Sequence, residues 1–533
     1  MAAPQSELEV EGLKRLREAR RWKELWVIDF KECYFFTAPH RQRQISSQTK
    51  PPVQRLLDAA ELQTSLAFEL AQDFVTEVVN TYMPEAQQWC ERGKGMFVPE
   101  KLYKTIAQKV RDQDREIFDA MKASNLYPET TKAFYPDLAI GTVGMWIDRE
   151  RPSQPISVKA IPLREMEINL GPDGEIDDRF AIRYTRNCYV KSLLPKGCTL
   201  PPDVEKTIGD KPDNTTELRF AFWRLWDRDD DEYWQHAIFV QNTCVHEAVL
   251  KGEGCCPLII GRFNPSADWP WGLGPMLQGL PDLRQIDELE GQKIENVELH
   301  LSPPITYPDD SFANIEQGLE TRMAYPIRPG TEGAVKAIYT PGSPDAAVYQ
   351  HEEMEKRLRR LFFVDFPEQH GDTPPTLGQW LDEMARAQRR IGTPGMPFWR
   401  EVPAKIFLRF KYLLEAAGAI EPIKVDGKSV SLRAYNPAQR AAEQQEIATA
   451  VQCAQILAQM FPEEWRMWAD GKATMDAMIS KMRTAGLIKV RNEEAVKKAL
   501  PQIAQLVGAR HEPGAPQANA PSPLAGAGAP AAA

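Results

Sequence analysis

The densest set of potential metal ligands in the chain is Asp227, Asp229, Asp230, Asp231 and Glu232. Hard carboxylate oxygens this close together could hold a divalent cation and support a metal-dependent nuclease or phosphotransferase. The run lies between Trp226 and Tyr233, however, where a solvated turn joining two strands accounts for it without chemistry. Gly272-Leu273-Gly274-Pro275 resembles part of a phosphate cradle, but two tryptophans and a proline crowd its glycines, which points to a tight strand-to-helix turn. Asp309-Asp310 after Pro308 reads most simply as a turn or helix cap. The eight cysteines follow no CxxC or Cys/His pattern, and adjacent Cys255 and Cys256 are too close for ordinary tetrahedral zinc, so reduced structural thiols are expected. The seven histidines are isolated from one another. Phosphate-loop, HExxH, GxSxG and helix-opening GxGxxG patterns are missing. No nucleophile, base and orienting group assemble, so the sequence points away from an enzyme and implies no metal and no cofactor.

The elements that would position any site are better marked. A chain of 533 residues is too long for one core, and roughly two to four domains are expected. Apolar content of 43% and charged content of 26% describe an ordinary folded protein. A net charge of -10 argues against a general nucleic-acid coat, while leaving room for an acidic surface that faces DNA without gripping it. No apolar run approaches the roughly 20 residues of a membrane span, and the N-terminus lacks a signal-peptide core. The expected setting is the cytoplasm or a particle, with no membrane partner.

Residues 7–36 read as one helix. Leu8, Leu13, Leu16, Ala19, Trp22, Trp26, Phe30 and Tyr34 mark its apolar face, and Lys14, Arg15, Arg17, Arg20, Arg21 and Lys23 its basic, solvated one. A phosphate-contact role is the minority reading of that basic face. Two more helices are expected at about 53–82 and 99–125. From Asp137 to Phe263 the period changes to two. Ile156, Val158 and Ala160 alternate, as do Met166, Ile168 and Leu170, and Gly171-Pro172-Asp173-Gly174 then marks a hairpin turn. Strands at 218–226, 233–240, 245–250 and 257–263 complete a small β-barrel or sandwich.

An arm follows. Leu280, Leu283, Ile286, Leu289, Ile294, Val297 and Leu301 form a thin apolar stripe on a helix from Met276 to about Leu301, roughly 40 Å long. So narrow a seam suits an antiparallel pair or a ring of neighbours, although an ordinary amphipathic helix is the plainer reading. An insert over 302–343 leads to a second charged helix, Asp345–Val364. A loop over 366–375 then leads to a third helix, Thr376–Ala417, which Gly392-Thr393-Pro394-Gly395-Met396-Pro397 should kink. Ile423–Leu432 reads as a hairpin, 436–460, 462–484 and 492–507 as helices, and 513–533 as a low-complexity tail without a core.

The chain resembles the portal proteins, or head-to-tail connectors, of short-tailed, podovirus-type bacteriophages. The matching elements are Pro39-His40-Arg41, Leu57-Asp58 with Pro84 and Trp89, the Asp173-Gly174 hairpin, and Pro257–Phe263 leading into Trp271-Gly272-Leu273-Gly274-Pro275. Leu280-Pro281-Asp282-Leu283-Arg284, Pro303-Pro304, and Thr376–Pro403 with its Gly-Thr-Pro break and Arg400-Glu401 complete the set. The resemblance covers nearly all of residues 10–510. Trp271-Gly272 stands where the family more usually has Tyr-Gly, the third helix carries extra prolines, and the C-terminal tail has no counterpart.

The resemblance implies an α+β, mainly helical fold in a ring of about twelve copies at one capsid vertex. Residues 1–265 would be a wing with a β-barrel at about 137–263. Residues 266–301 and 344–365 would be stem helices, 302–343 a clip, and 366–375 a tunnel loop. Residues 376–435 would be a kinked wing helix with its hairpin, 436–510 a helical crown and 511–533 a disordered tail. The implied function is a channel for genome packaging and ejection. Its implied partners are double-stranded DNA, the terminase large subunit, head–tail adaptor or tail proteins, and major capsid and scaffolding proteins. The implied location is the virion, with the host cytoplasm during assembly. Candidates for the channel are Arg357, Arg359, Arg360, Glu368, Gln369, His370, Glu288 and Glu295. Candidates for the clip are Tyr307, Asp309, Asp310, Arg322 and Arg328. Rival readings are another head–tail adaptor, or a nuclease using Asp227–Glu232.

Overall fold

A computed structural model describes residues 7–41, 62–93, 99–149, 154–195, 198, 200–226, 232–301, 305–306, 336–337, 345–364, 390–392, 394–423, 431–434, 449–456 and 459–460. The chain divides into two compact units, Met1–Ala441 and Ala442–Ala533. In the second, residues 449–456 and 459–460 are helical, within the first of the three helices expected there. The helices expected at 462–484 and 492–507 lie outside the described residues.

The first unit is α+β. It opens with α1 (Glu7–Glu24) and α2 (Val27–Thr37). The single helix expected over 7–36 is therefore two, parted at Leu25 and Trp26. The cause is tertiary: Trp26 packs edge-on against Trp269, with ring centroids 4.9 Å apart. Next come α3 (Leu66–Tyr82), β1 (Cys90–Gly93), α4 (Glu100–Ala123), α5 (Leu126–Phe134) and the short α6 (Asp137–Ile140). Residues 53–61 of the expected 53–82 helix lie outside the described residues, and 62–65 are not helical. On α3, Leu66, Leu70, Phe74, Val78 and Tyr82 recur every fourth residue and are buried, as a core-facing stripe requires. The Tyr34 hydroxyl donates to Asp137 Oδ1 at 2.7 Å, and the Leu163 amide donates to Asp137 Oδ2 at 3.0 Å, so one buried carboxylate joins α2, α6 and the sheet region.

The alternation begins at Thr142, since 137–140 is helical. The strands are β2 (Thr142–Asp148), β3 (Ser157–Ile161), β4 (Met166–Leu170) and β5 (Ile176–Arg186). After α7 (Asn187–Leu193) and α8 (Pro202–Asp210) come β6 (Thr215–Arg224), β7 (Tyr233–Val240), β8 (Thr243–Lys251) and β9 (Leu258–Arg262). They form a three-stranded sheet, β3-β2-β9, and a five-stranded antiparallel meander, β4-β5-β6-β7-β8. Among the described residues no strand pairing joins these two sheets. The sheets meet through Trp146 against Phe220 and Phe222, at 5.2 and 5.5 Å. Gly174 holds φ +74 in the β4–β5 turn, the backbone state for which that turn needs a glycine.

The far face of the meander carries α1, over a separate apolar cluster of Leu16 and Ala19 with Phe180, Ile182, Trp223 and Phe239. Here the expectation of a solvated basic face on α1 holds for exposed Lys14, Arg17 and Arg21 but not for Arg15, Arg20 and Lys23. Arg15 pairs with Asp178 at 2.9 Å, Arg20 with Glu217 at 2.6 Å, and Lys23 is buried. The Lys23 ammonium donates to the carbonyls of Leu163, Arg164 and Met166 at 2.7–3.1 Å and lies 3.4 Å from Glu167. Burial pushes the Lys23 ammonium down and the Glu167 and Asp178 carboxyls up, against the pull of their partners. The basic stripe thus meets acidic strands. The minority phosphate-contact reading is excluded for these three residues.

The chain continues with α9 (Pro275–Leu301), the two-residue pair β10 (Ile305–Thr306) and β11 (Lys336–Ala337), α10 (Asp345–Leu361), α11 (Pro403–Ala416) and β12 (Ser431–Ala434). Residues 390–392 and 394–401 are helical, and Thr393, inside the stretch expected to kink, lies outside the described residues. A further irregularity falls at Val402, where the φ/ψ pair is -112°/-72°, yet the amides of Val402 and Ile406 still complete helical bonds to Phe398 and Val402. Of the hairpin expected over Ile423–Leu432, residues 424–430 lie outside the described residues. Ile423 is not in a strand, and β12 pairs antiparallel with β1, Cys90 opposite Ala434. Alternation specifies a strand but not its partner.

Candidate functional site

The region that projects from the core is the helical arm α9–α10, and the turn before α9 aims it. Gly272 and Gly274 lie against the backbone of residues 139–141, so close that a Cβ on Gly274 would stand 2.2 Å from the Ala139 carbonyl oxygen. Their amides are used internally: Gly272 N–H donates to Thr142 Oγ1 at 3.0 Å and Gly274 N–H to the Ile140 carbonyl at 2.9 Å. Donors so occupied cannot cradle a phosphate, and the tight-turn reading holds. Trp271 is buried and packs edge-on against Phe30 at 5.6 Å.

Helices α9 and α10 run antiparallel. Gly279 lies beside Leu358 and Leu361, Asp282 is 3.8 Å from Arg357, and Glu290 is 3.1 Å from His351 Nδ1. Pro281 sits in the second turn of α9 and leaves the Leu277 carbonyl without its helical donor. The base is braced from outside, since Arg284 forks onto the Glu32 carboxylate of α2. Asp287 Oδ1 accepts the amides of Gln63 and Thr64 at 2.9 and 3.2 Å.

The seam is sealed at one end only. Leu280, Leu283 and Ile286 on α9, with Met354 and Leu358 on α10, are at most 5% exposed. Ile294 and Val297 near the end of α9, with Val348 and Tyr349 near the start of α10, are 45–70% exposed. Charge is segregated along the same axis. Exposed Lys356, Arg357 and Arg360 lie level with the first turns of α9, while exposed Glu288, Glu295 and Glu298, with Glu352 and Glu353, lie farther out.

Of the channel candidates, the structure describes Arg357, Arg359, Arg360, Glu288 and Glu295, and gathers all five on the arm. Arg357 approaches Asp282, Arg359 is bound to Glu355 at 2.7 Å, and the Arg360 carbonyl accepts from Arg390 at 2.7 Å. Glu368, Gln369 and His370 lie outside the described residues, as do Tyr307, Asp309, Asp310, Arg322 and Arg328 and the acidic run over Asp227–Asp231. Glu232, its last member, is described and receives a hydrogen bond from Trp234 Nε1 at 2.8 Å. Among the described residues no group of three His, Cys, Asp or Glu is placed to hold a metal ion. A cleft of 560 Å³ between the Asp173–Glu175 turn and residues 397–408 has its central charges already paired, Arg262 with Glu401 at 2.5 Å. Sequence reasoning missed the exposed apolar tip. Ile294 and Val297 belong to the stripe it recognised, but only packing reveals where cover stops.

Two solved structures are similar in part. One is described as the virion of a native gene transfer agent particle; it is 11% identical over 81% of this chain and 94% of that one, with a TM-score of 0.39. The other, the neck of an empty gene transfer agent particle computed with C6 symmetry, is 13% identical over 75% and 91%, with a TM-score of 0.36. No curated protein matches. A family model described as bacteriophage head to tail connecting protein matches residues 10–485. The chain belongs to the bacteriophage head-to-tail connecting protein family.

Proposed function

We propose that this protein is the portal of a phage-like particle, a closed ring of identical copies at one capsid vertex through which double-stranded DNA enters and leaves. The observation that carries the reading is the arm: its base is locked in the core, and its tip presents Ile294, Val297, Val348 and Tyr349 uncovered. Head-to-tail contacts whose rotation closes give a ring, and helical pairs side by side then wall a tube and cover such residues. In that arrangement α9 and α10 are the stem and 302–343 the clip that meets the terminase and tail adaptors. Residues 366–375 are the tunnel loop, 376–435 the kinked wing helix with its hairpin, and 436–510 the crown. Residues 1–265 form the wing. The particle is the site of action, and the host cytoplasm the site of assembly.

The charge gradient suits passage of a duplex. Carboxylates toward the tip, Glu288 and Glu295 among them, repel phosphates and discourage sticking. Lys356, Arg357 and Arg360 near the base supply a narrow band of attraction. Electron microscopy of the purified protein tests the reading: rings with a central hole are expected, and a protein that stays monomeric under assembly conditions overturns it. Arg357→Glu with Arg360→Glu should then weaken DNA retention while rings still form.

A further inference from the structure

The cleft between the Asp173–Glu175 turn and residues 397–408 is lined on one side by Ile260 and Arg262 of β9. In the sheet β3-β2-β9 that strand has a neighbour on one side only. Ladder bonds alternate in an antiparallel pair, so every second residue of an edge strand turns its N–H and C=O outward. The Phe263 amide donates to the Gly141 carbonyl and the Pro257 carbonyl accepts from the Ile147 amide, so the odd-numbered residues face β2. Leu258, Ile260 and Arg262 therefore face outward. Two of these three are plugged. Arg179 Nη1 donates to the Leu258 carbonyl at 2.9 Å, and the Arg262 amide donates to Glu401 Oε2 at 2.7 Å. Ile260 lies between them, and among the described residues its outward N–H and C=O meet no partner.

The side chains around that gap carry a surplus of donors. Arg262 forks onto the Glu401 carboxylate and reaches the Gly174 carbonyl at 3.1 Å. Its Nη1, in a residue only 3% exposed, still has no acceptor. The buried Trp399 indole N–H is unsatisfied as well. Arg400 is exposed on the cleft wall and pairs with nothing among the described residues. Acceptors are scarcer. Glu401 is spent on Arg262, and Glu175 lies 3.7 Å from Arg224, which leaves Asp173 as the unpaired carboxylate among the described lining residues. Buried donors without acceptors are costly, so the cleft is complementary to an anion. Ile176, Pro397 and Leu408 give it an apolar wall beside those donors.

We propose that this cleft is a docking site for an extended, carboxylate-bearing peptide segment of a partner protein. One peptide residue pairs with Ile260 through both ladder bonds, as in strand addition to a sheet edge. Side chains two apart on a strand share a face, so an acidic side chain on that residue stands on the same side as Arg262. Its carboxylate takes the spare donors of Arg262, Trp399 and Arg400, while flanking apolar residues lie against Ile176, Pro397 and Leu408. The plugs at Leu258 and Arg262 limit the pairing to that one residue, so the site reads a short motif instead of a long strand. It does not depend on ring closure.

The probe is the capped peptide acetyl-Thr-Val-Glu-Val-Thr-amide, titrated into the full chain and followed by saturation-transfer NMR. Its Gln counterpart, free glutarate and the same peptide N-methylated at its Glu are the comparisons. The Glu peptide should bind about tenfold tighter than the Gln peptide, and Arg400→Gln, at an exposed position, should remove most of that advantage at an unchanged urea midpoint. Trp399→Phe, which deletes the N–H and keeps an aromatic ring, should weaken the Glu peptide a few-fold. N-methylation, which removes one ladder bond, should do the same. Equal binding of the Glu and Gln peptides, or indifference to Arg400→Gln, overturns recognition of a carboxylate. Glutarate binding as tightly as the peptide, or an unimpaired N-methyl peptide, overturns strand pairing. Absence of peptide binding at millimolar concentration overturns the site.

Discussion

The base and the tip of the arm are built from one apolar stripe and meet opposite fates. At the base, Leu280, Leu283 and Ile286 disappear against Met354, Leu358 and Phe362, and the aromatic rings of Phe74, Phe263, Phe362 and Phe363 close in behind them. Two turns farther along, Ile294 and Val297 keep the same spacing and, like Val348 and Tyr349 near the start of α10, are exposed. Nothing in residue type separates the two halves. What differs is a second layer: the base has α2, α3 and the Phe263 turn beneath it, whereas among the described residues no such layer covers the apolar side chains of the tip. The base therefore serves folding, and the exposed tip is the surface that the ring proposed above would cover.

The comparison is tested most strongly at the base. Ile286→Ala removes a fully buried side chain and should cost about 2–5 kcal/mol, read as a lowered urea midpoint at unchanged slope. A loss below about 1 kcal/mol would mean that the base is packed no better than the tip. A pH effect of comparable size is expected within the body. His236 is enclosed between Phe222, stacked on it at 4.4 Å, and His246, and burial followed by the repulsion of His246 brings its pKa down to about 3. The fold therefore holds His236 neutral while the unfolded chain takes up a proton below about 6.5. The stabilisation is complete above that pH and is lost as pH falls toward 3, at up to about 1.4 kcal/mol per unit. His236→Phe should flatten this component, so that the variant gains stability relative to wild type as pH falls from 6.5 to 4.

At the tip the signs reverse. Ile294→Asp with Val297→Asp should change unfolding free energy by less than about 0.5 kcal/mol, because both side chains are already wet. The same pair should abolish assembly in sedimentation. Rings that form normally would remove the tip from the interface.

Much of this contrast was legible beforehand, and some was not. The stripe from Leu280 to Leu301 predicted the helix and its thin seam, since period 3.6 is a local property of sequence. The Asp173-Gly174 turn and the β4–β9 strands followed from period 2 and from a glycine that must hold positive φ. The partner of β12 was not legible, because β1 lies more than three hundred residues away and alternation carries no address. The break at Trp26 was invisible for the same reason: Trp269, which imposes it, is distant in sequence. Lys23 was assigned to solvent because a basic stripe usually is; only the acidic strands opposite, and three converging carbonyls, make its burial tolerable. Of the site, the arm and its charged residues could be read in advance, whereas the point at which the seam loses its cover depends on layers assembled from the rest of the chain.

The smallest effect discriminates between two uses of the basic band. Arg359 and Glu355 form an i,i+4 pair at 2.7 Å, with side chains 37% and 30% exposed. Water and salt screen such a pair, and ordering two long side chains offsets part of the attraction. A double-mutant cycle with Arg359→Ala and Glu355→Ala should therefore return a coupling of about 0.3–0.5 kcal/mol, shrinking further in 0.5 M salt. If the coupling reached the 2 kcal/mol scale of a buried pair, Arg359 would belong to the structural base beside Leu358. A value near zero leaves its guanidinium thermodynamically free to exchange Glu355 for a phosphate, as a band that holds a sliding duplex only in passing requires.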